Sequence, residues 1–259
     1  MKTIATLFIL ALASPMASAQ RPTASPKKPQ SILFDFRNQR NAAATRIPTG
    51  TQRKILLKVF RQYLTDEAKC KSDFDTSNDS DPLRAARNSG QIVPSIVDMA
   101  SGSFTTPGRP ETAYVISVSE CNASHADNFG TKRIAIFAGQ QMIADVDADF
   151  NSSIVRKTDL NGDGINELLM TTGDMHQGVI TETADLLEFS NGRVRVIEDF
   201  GTVTEDSCGS GIAGSTSKAA VLSLSDVARG KMPRMRIDNY EASCRGARRW
   251  RFVSSGKIH

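Results

Sequence analysis

The chain has 259 residues, of which 39% are hydrophobic and 23% are charged, a composition typical of a globular protein with one or two domains. Its net charge of +4 comes from Lys2 and from three basic residues in Gln20–Ser31, so the charges of residues 32–259 sum to zero. A chain without a basic domain gives no support to nucleic-acid binding.

The first 19 residues have the three parts of a secretory signal. Lys2 provides a basic start, Ile4–Ala13 is an apolar run, and Ala17-Ser18-Ala19 is a small-residue cleavage site. The apolar run is too short to cross a bilayer, and no later stretch approaches the roughly 18 apolar residues that a transmembrane helix needs. We therefore expect cleavage near Ala19 and a secreted or periplasmic protein without a transmembrane segment.

The rest of the chain divides into three predicted parts. Residues 20–31 contain three prolines and no large apolar side chain, which predicts a flexible linker. Residues 32–90 are predicted as a helical segment, because Thr51–Lys69 has apolar residues at helical spacing and predicts an N-terminal amphipathic helix. Residues 91–259 are predicted as an antiparallel, mainly β domain, from short β-branched and aromatic runs separated by turn residues. These runs are Val93–Ala100, Thr112–Ser119, Arg133–Ala138, Glu167–Thr172, Val179–Phe189, Arg193–Ile197, Ala219–Ser225 and Met235–Tyr240.

Two turn and edge signals refine the β domain. Asn191-Gly192 stands between two of these runs and predicts a two-residue hairpin turn. Pro94 lies in the first run, and because proline cannot donate to a sheet ladder, that run is predicted at an edge or a bulge.

The four cysteines predict disulfides, because an even count in an exported chain favours pairing and no Cys-x-x-Cys spacing is present. Three connectivities are possible. We favour Cys70–Cys121 with Cys208–Cys244, since each pair closes the shorter loop.

The segment Asp159–Glu167 has the oxygen-rich spacing of a calcium loop. Oxygen-bearing side chains occupy positions 1, 3, 5 and 9, a glycine at position 6 permits a sharp turn, and position 7 can offer its backbone carbonyl. Calcium takes six to eight oxygen ligands from flexible loops, whereas magnesium tolerates such loops poorly. The loop is not an EF-hand, because position 12 is Met170 and the residues that follow favour a strand. The alternative is a metal-free surface turn.

This segment resembles the calcium loops of FG-GAP/VCBS repeats, the blade units of integrin-type β-propellers. In those repeats Asp-x-Asn-x-Asp-Gly-x-x-Asp/Glu lies between two strands and is followed by an apolar run, and the match covers Asp159–Met170 here. The resemblance implies a bound Ca²⁺. It also implies the ligands Asp159, Asn161, Asp163, the carbonyl of Ile165, and Glu167.

A second copy of the pattern precedes the loop at an offset of 56 residues. Ser103–Ile116 aligns Gly108 with Gly164 and Glu111 with Glu167, while the three preceding ligand positions carry Ser103, Thr105 and Pro107. This copy predicts a blade turn without a cation. A fainter third copy is Gly214–Asp226. So few units cannot close a seven-bladed propeller, so we expect a partial, propeller-like stack of blade-like sheets.

Other residues are weaker candidates for a site. Asp145, Asp147 and Asp149 would share one face of a strand and could hold a second cation or form a solvated face. His176, beside Asp174 in a Gly-rich turn, could act as a general base, but no nucleophile motif accompanies it, and Gly209-Ser210-Gly211 is not a nucleophile elbow. Arg245, Arg248, Arg249 and Arg251 surround Trp250 and could contact an anionic or glycan surface, or simply face solvent.

The leading hypothesis is an exported, non-enzymatic calcium-binding module, a binding or adhesion-type scaffold that presents a surface to an unknown protein or glycan. One alternative is a secreted hydrolase that uses an acid–base residue such as His176 or Glu182. The other is a structural envelope protein whose loop holds no metal.

Overall fold

The computed structural model describes residues 31–38, 47–59, 92–120, 131–148, 153–212, 214–245 and 248–258. Met1–Ala19 and nearly all of the predicted linker lie outside these ranges, as do Cys70 and Cys121. The secondary structure comprises one α-helix and twelve strands within the described residues: α1 (Thr49–Val59), β1 (Ser31–Asp35), β2 (Ile92–Gly102), β3 (Glu111–Glu120), β4 (Thr131–Ala138), β5 (Gln141–Asp147), β6 (Ser153–Thr158), β7 (Glu167–His176), β8 (Val179–Ser190), β9 (Arg193–Asp206), β10 (Thr216–Ser225), β11 (Arg234–Ser243) and β12 (Arg251–Ile258).

The strands form two antiparallel sheets. The first sheet has the order β2-β3-β4-β5, and the second has the order β6-β7-β8-β9-β10-β11-β12, with β1 added to the edge of β10. Apart from β1, strands that follow one another in sequence are neighbours within each sheet. The prediction of a mainly β, antiparallel fold is confirmed.

Three hydrophobic clusters hold these layers together. The first sheet packs on one face of β7 and β8, where Phe104 and Phe189 meet edge to face with ring centroids 6.2 Å apart. The other face of β7 and β8 packs against β9, β10 and β11, so the large sheet curves around its own cluster. On the outer side of the first sheet, Ile55 and Leu56 of α1 cover Ile116 and Phe137. Burial of each such large apolar side chain stabilises the fold by roughly 1.5–3 kcal/mol.

The 56-residue repeat is visible in the strand pairing. Gly102 pairs with Glu111 at the base of the β2–β3 loop, and Thr158 pairs with Glu167 at the base of the β6–β7 loop. The next two pairs of each ladder also match at this offset, before a bulge interrupts each one. The two strand–loop–strand units therefore share register where their loops leave the sheet.

The first strands of the two units also lie side by side. The backbone N–H of Ile154 donates to Asp98 Oδ2 at 2.7 Å, and the ammonium of Lys157 donates to the carbonyl of Ser101. Each contact joins residues that occupy the same position in their repeats, so β2 and β6 run in the same direction.

The third copy departs from the other two. Asp206 pairs with Ser217, which occupies the position of Glu111 and Glu167 and is also buried. Ten residues separate this pair, against eight between Gly102 and Glu111. The longer loop is tied by the Cys208–Cys244 disulfide, which confirms that predicted pair.

Most predicted strands occur where the sequence placed them, and the differences lie at edges. Asn191 and Gly192 form the hairpin turn with φ of 53° and 71°, both in the left-handed region that this turn requires. β2 is an edge strand, as Pro94 indicated. The prediction omitted β1, β6 and β12, which lie at sheet edges, and β5, which was considered only for its aspartates. Residues 32–90 are not solely helical, because β1 belongs to the large sheet.

The helix α1 ends at Val59 in the described residues, and the remainder of the predicted Thr51–Lys69 helix lies outside them. Within the described ranges, no helix is both long enough and apolar enough to cross a membrane.

Candidate metal centre

The candidate loop Asp159–Glu167 leaves the sheet after β6 and returns at the first residue of β7. Its two ends are fixed by the Thr158–Glu167 pair, and Leu160 turns inward to pack in the cluster beneath β7 and β8. Asp159 and Asp163 remain exposed, Asn161 and Ile165 are half-buried, and Glu167 is fully buried. The strands thus bring all five predicted ligand residues into one short loop.

Asp159, at position 1, stabilises the loop through three backbone hydrogen bonds to its carboxylate. Its Oδ1 accepts hydrogen bonds from the backbone N–H groups of Gly162 and Asp163 at 2.8 and 3.2 Å, and its Oδ2 accepts one from Gly164 at 3.0 Å. These bonds curl the backbone around one carboxylate, which aspartate favours in tight turns.

Asn161 and Asp163 continue the same curl. Asn161 Oδ1 accepts the N–H of Asp163 at 2.9 Å, and Asp163 Oδ1 accepts the N–H of Ile165 at 2.7 Å. The amide nitrogen of Asn161 donates to Asp163 Oδ2 at 3.0 Å. The side chains at positions 1, 3 and 5 therefore lie on the inner side of a single turn.

Glycine is required at position 6. Gly164 has φ of +88°, which L side chains rarely adopt, and a Cβ placed there would lie 3.0 Å from Cβ of Pro107 in the neighbouring loop. Both the backbone conformation of Gly164 and the nearby ring of Pro107 therefore disfavour a side chain at this position.

Glu167 is the buried residue of the site. Its Oε2 accepts the N–H of Leu160 at 2.8 Å, but among the described residues its Oε1 has no hydrogen-bond partner. The pKa of Glu167 is raised to about 7, mainly by burial and to a smaller extent by repulsion from the carboxylates of Asp163 and Asp159, while the hydrogen bond from Leu160 N–H acts in the opposite direction. None of these three carboxylates forms an ion pair with a side chain in the parts of the chain that the structure describes.

Glu111 occupies the equivalent place in the first loop, Ser103–Glu111, and its environment is complete. Its Oε2 accepts the N–H groups of Phe104 and Thr105 at 2.6 and 2.8 Å, and its Oε1 accepts from Thr105 Oγ1 and Arg109 Nε at 2.6 and 2.7 Å. Burial alone would raise the pKa of Glu111, but the bonds from Thr105, Phe104 and Arg109 hold it below its ordinary value.

The two loops share one hydrogen bond and differ in the rest. The bond from Phe104 N–H to Glu111 corresponds at the 56-residue offset to the bond from Leu160 N–H to Glu167. Arg109, whose guanidinium neutralises Glu111, corresponds to Ile165. The first loop thus carries its own cation, whereas the second has Ile165 at that position and leaves the buried Oε1 of Glu167 without a partner among the described residues.

The site fits a hard cation through its oxygens, although it is not a cage of acidic side chains. Across the described ranges, no group of three or more His, Cys, Asp or Glu side chains is gathered as a ready ligand set. The ligands implied by the sequence also include the amide oxygen of Asn161 and a backbone carbonyl. A carboxylate has about four lone-pair sites, so Asp159 and Asp163 can accept loop N–H groups and still bind a cation.

The candidate acid–base residues are not brought together. His176 is exposed at the tip of the β7–β8 hairpin, where it pairs with Val179, and no described residue hydrogen-bonds to its ring. Glu182 accepts a bond from Thr204 Oγ1 at 2.9 Å in the middle of β8. Ser210 uses its hydroxyl within its own loop, donating to the carbonyl of Ser207 at 2.7 Å.

The remaining candidates are engaged in surface contacts. Asp145 pairs with Arg133 at 2.8 Å, and Asp149 lies outside the described residues. Arg248 pairs with Asp206 at 2.5 Å and Arg251 with Glu241 at 3.1 Å, while Trp250 packs against the cluster of the large sheet.

Comparison of the chain with protein-family models, curated proteins and solved structures finds no match. The site therefore rests on its own residues. Sequence reasoning missed Arg109, although a basic residue two positions before Glu111, which aligns with Glu167 at the 56-residue offset, was a readable signal. It also missed the contacts that join the loop to its neighbours, for which no local signal exists.

Proposed function

We propose that the Asp159–Glu167 loop binds Ca²⁺ and that the protein is an exported, non-enzymatic module whose β scaffold the ion stabilises. The observation that carries this proposal is the unpaired, buried Oε1 of Glu167, at the position where the sister glutamate receives an arginine. A buried polar oxygen without a partner costs roughly 1–3 kcal/mol or more when charged, and a cation would remove that cost.

The mechanism is structural. Calcium would bind the carboxylates of Asp159, Asp163 and Glu167 and offset their negative charge. The side-chain oxygen of Asn161 and the carbonyl of Ile165 would complete a set of five or more ligands from a single loop. The ion would fix the turn from which β7 begins, and β7 carries Leu168, Leu169 and Met170 into both faces of the core. A stiffened loop edge of this kind suits a surface that binds a protein or a glycan.

The resemblance to FG-GAP/VCBS repeats supports this function as a proposal about architecture. The first strands of the four-stranded sheet β2–β5 and of the large sheet run side by side, and their loops are in the same register, as neighbouring blades of a propeller-like stack would require. The leader-like Met1–Ala19 supports a secreted or periplasmic location.

The test is thermal unfolding of the purified protein in EDTA and in calcium. At a calcium concentration of about 100 Kd, the ion should stabilise the folded state by about 2.7 kcal/mol, which corresponds to a rise in Tm of roughly 5–10 °C for a chain of this size. In Asp163→Ala, this rise should be lost.

Asp174→Ala is the matched control, because Asp174 is an exposed aspartate at the far end of β7. It should retain the full calcium response. A wild-type protein whose Tm does not change at millimolar calcium would refute the calcium site, and an unchanged response in Asp163→Ala would refute the ligand assignment.

A further inference from the structure

The candidate calcium loop touches two other segments, one on each side. On one side lies the first loop, Ser103–Glu111. The backbone N–H of Asn166 donates to the carbonyl of Ser103 at 2.6 Å, and the N–H of Ser103 donates to Asn166 Oδ1 at 2.9 Å. Gly164 lies against Pro107 of the same loop. These contacts join the first sheet to the metal loop.

On the other side lies the turn Asp226–Pro233, which connects β10 to β11. The backbone N–H of Gly230 donates to the carbonyl of Asn161 at 2.5 Å. Gly162 lies so close to Arg229 that an added Cβ would meet Arg229 Cγ at 3.3 Å and Cα at 3.6 Å. The same nine-residue loop therefore contacts the first sheet through one end and the far part of the large sheet through its middle.

We propose that the Asp159–Glu167 loop is a calcium-dependent clasp, in which the ion holds the first sheet and the β10–β11 turn together through Asn166 and Asn161. This inference rests on the proposed calcium binding. The residues that form the two contacts are interleaved with the proposed ligands: Asn161 would bind the ion through its side chain, and Asn166 lies between Ile165 and Glu167.

The clasp can be no more rigid than the loop that forms it. Without a cation, the buried Oε1 of Glu167 has no hydrogen-bond partner among the described residues, and local opening of the loop would let water reach this oxygen. Opening breaks the bonds at Ser103 and Gly230, because their acceptors move with the loop. Calcium would give this oxygen a partner and fix the backbone on which both acceptors depend, so both contacts close together.

Asn166 is a positioning residue in this scheme. It is not one of the proposed ligands, and its Oδ1 accepts from Ser103 N–H of the neighbouring loop. Its removal should therefore separate ion binding from the connection to the first sheet.

The experiment is hydrogen exchange of the full-length protein in EDTA and in calcium, with calcium binding measured in parallel by titration calorimetry. Calcium should slow exchange at the amides of Ser103 and Gly230 by about tenfold or more. The Ser190–Arg193 turn at the end of the β8–β9 hairpin is an internal control, and its exchange should not change.

Asn166→Ala should bind calcium with a Kd within about threefold of wild type, lose the calcium-dependent protection at Ser103, and keep it at Gly230. If calcium binds to wild type and exchange at Ser103 and Gly230 stays the same, the clasp is refuted while the calcium site stands. If calorimetry shows no calcium binding, the proposed function and the clasp fail together. Retained protection at Ser103 in Asn166→Ala would refute the role of Asn166.

Discussion

The two loops Ser103–Glu111 and Asp159–Glu167 begin and end at the same register of equivalent strands, yet they solve the burial of one glutamate in opposite ways. In the first loop, four hydrogen bonds reach the carboxylate of Glu111, one of them from the guanidinium of Arg109. In the second, one hydrogen bond reaches Glu167, and two further carboxylates stand nearby.

The difference teaches that a buried charge in this turn needs compensation, which a side chain or an ion can supply. The direction of the pKa shift differs between the loop that contains a compensating side chain and the loop that does not. The pKa of Glu111 is lowered because its partners are built in, and that of Glu167 is raised by burial because its partner is not among the described side chains.

The largest effect on stability is expected from Glu111→Gln. This change removes the charge that holds Arg109 and turns one acceptor into a donor facing Thr105 and Arg109, so we expect a loss of about 2–4 kcal/mol in the free energy of unfolding. Urea denaturation measures it. A loss below about 0.5 kcal/mol would show that the bonds to Glu111 contribute little to stability.

The comparison can be sharpened by making the second loop resemble the first. Ile165→Arg places a guanidinium where Arg109 stands in the sister loop, within reach of the unpaired oxygen of Glu167. We expect the rise in Tm caused by calcium, roughly 5–10 °C in wild type, to disappear, and the stability in EDTA to rise by about 1 kcal/mol. Thermal unfolding with and without calcium measures both. A full calcium response in this variant would show that the two positions are not equivalent.

Glu167→Gln should behave unlike its counterpart in the first loop. In EDTA it keeps the acceptor for Leu160 N–H and removes a repelled negative charge, so we expect the free energy of unfolding to stay the same or rise by up to about 1 kcal/mol. In calcium it should abolish the stabilisation, because a carboxylate ligand is lost. Parallel urea titrations in the two buffers check both halves, and a large destabilisation in EDTA would contradict the first.

The smallest effect is a pH dependence that belongs to Glu111. Because the pKa of Glu111 is lower in the folded state than its ordinary value of 4.5, ionised Glu111 stabilises the fold above about pH 4.5, and that stabilisation is lost as the pH falls through the folded-state pKa. The stability difference between wild type and Glu111→Gln should therefore be constant near neutrality and shrink below about pH 4.5. Denaturation in EDTA at a series of pH values measures it, and a difference that grows toward acid would contradict the assignment.

Local sequence patterns predicted the central strands well because those strands bury both faces or one complete face. Leu168, Leu169 and Met170 read as a strand from their apolar run alone, and Asn191-Gly192 identified a turn through its backbone preference. The edge strands β6 and β12 were missed because a strand that pairs on one side keeps little apolar pattern, and β1 was missed because its apolar run, Ile32–Phe34, is only three residues long.

The residues of the candidate site could be predicted from the sequence, but the hydrogen bonds that join the site to distant segments could not. The spacing of Asp159, Asn161, Asp163 and Glu167 pointed to the loop, and the 56-residue offset pointed to its sister. The bonds from Asn166 to Ser103 and from Gly230 to Asn161 could not be predicted, because they join residues far apart in sequence through backbone groups that carry no residue signature.

The pairing of β1 with β10 is expected to slow folding. Residues 31–35 form a ladder with residues 221–224, and Leu33 is buried in the cluster of the large sheet. A contact between such distant parts of the chain has a high loop-closure cost, and topologies rich in such contacts fold slowly. During synthesis the β1 segment emerges early and must wait for β10. Until then the exposed edge of β1 is free to pair with other chains, so the time before this closure is when the protein is most exposed to aggregation.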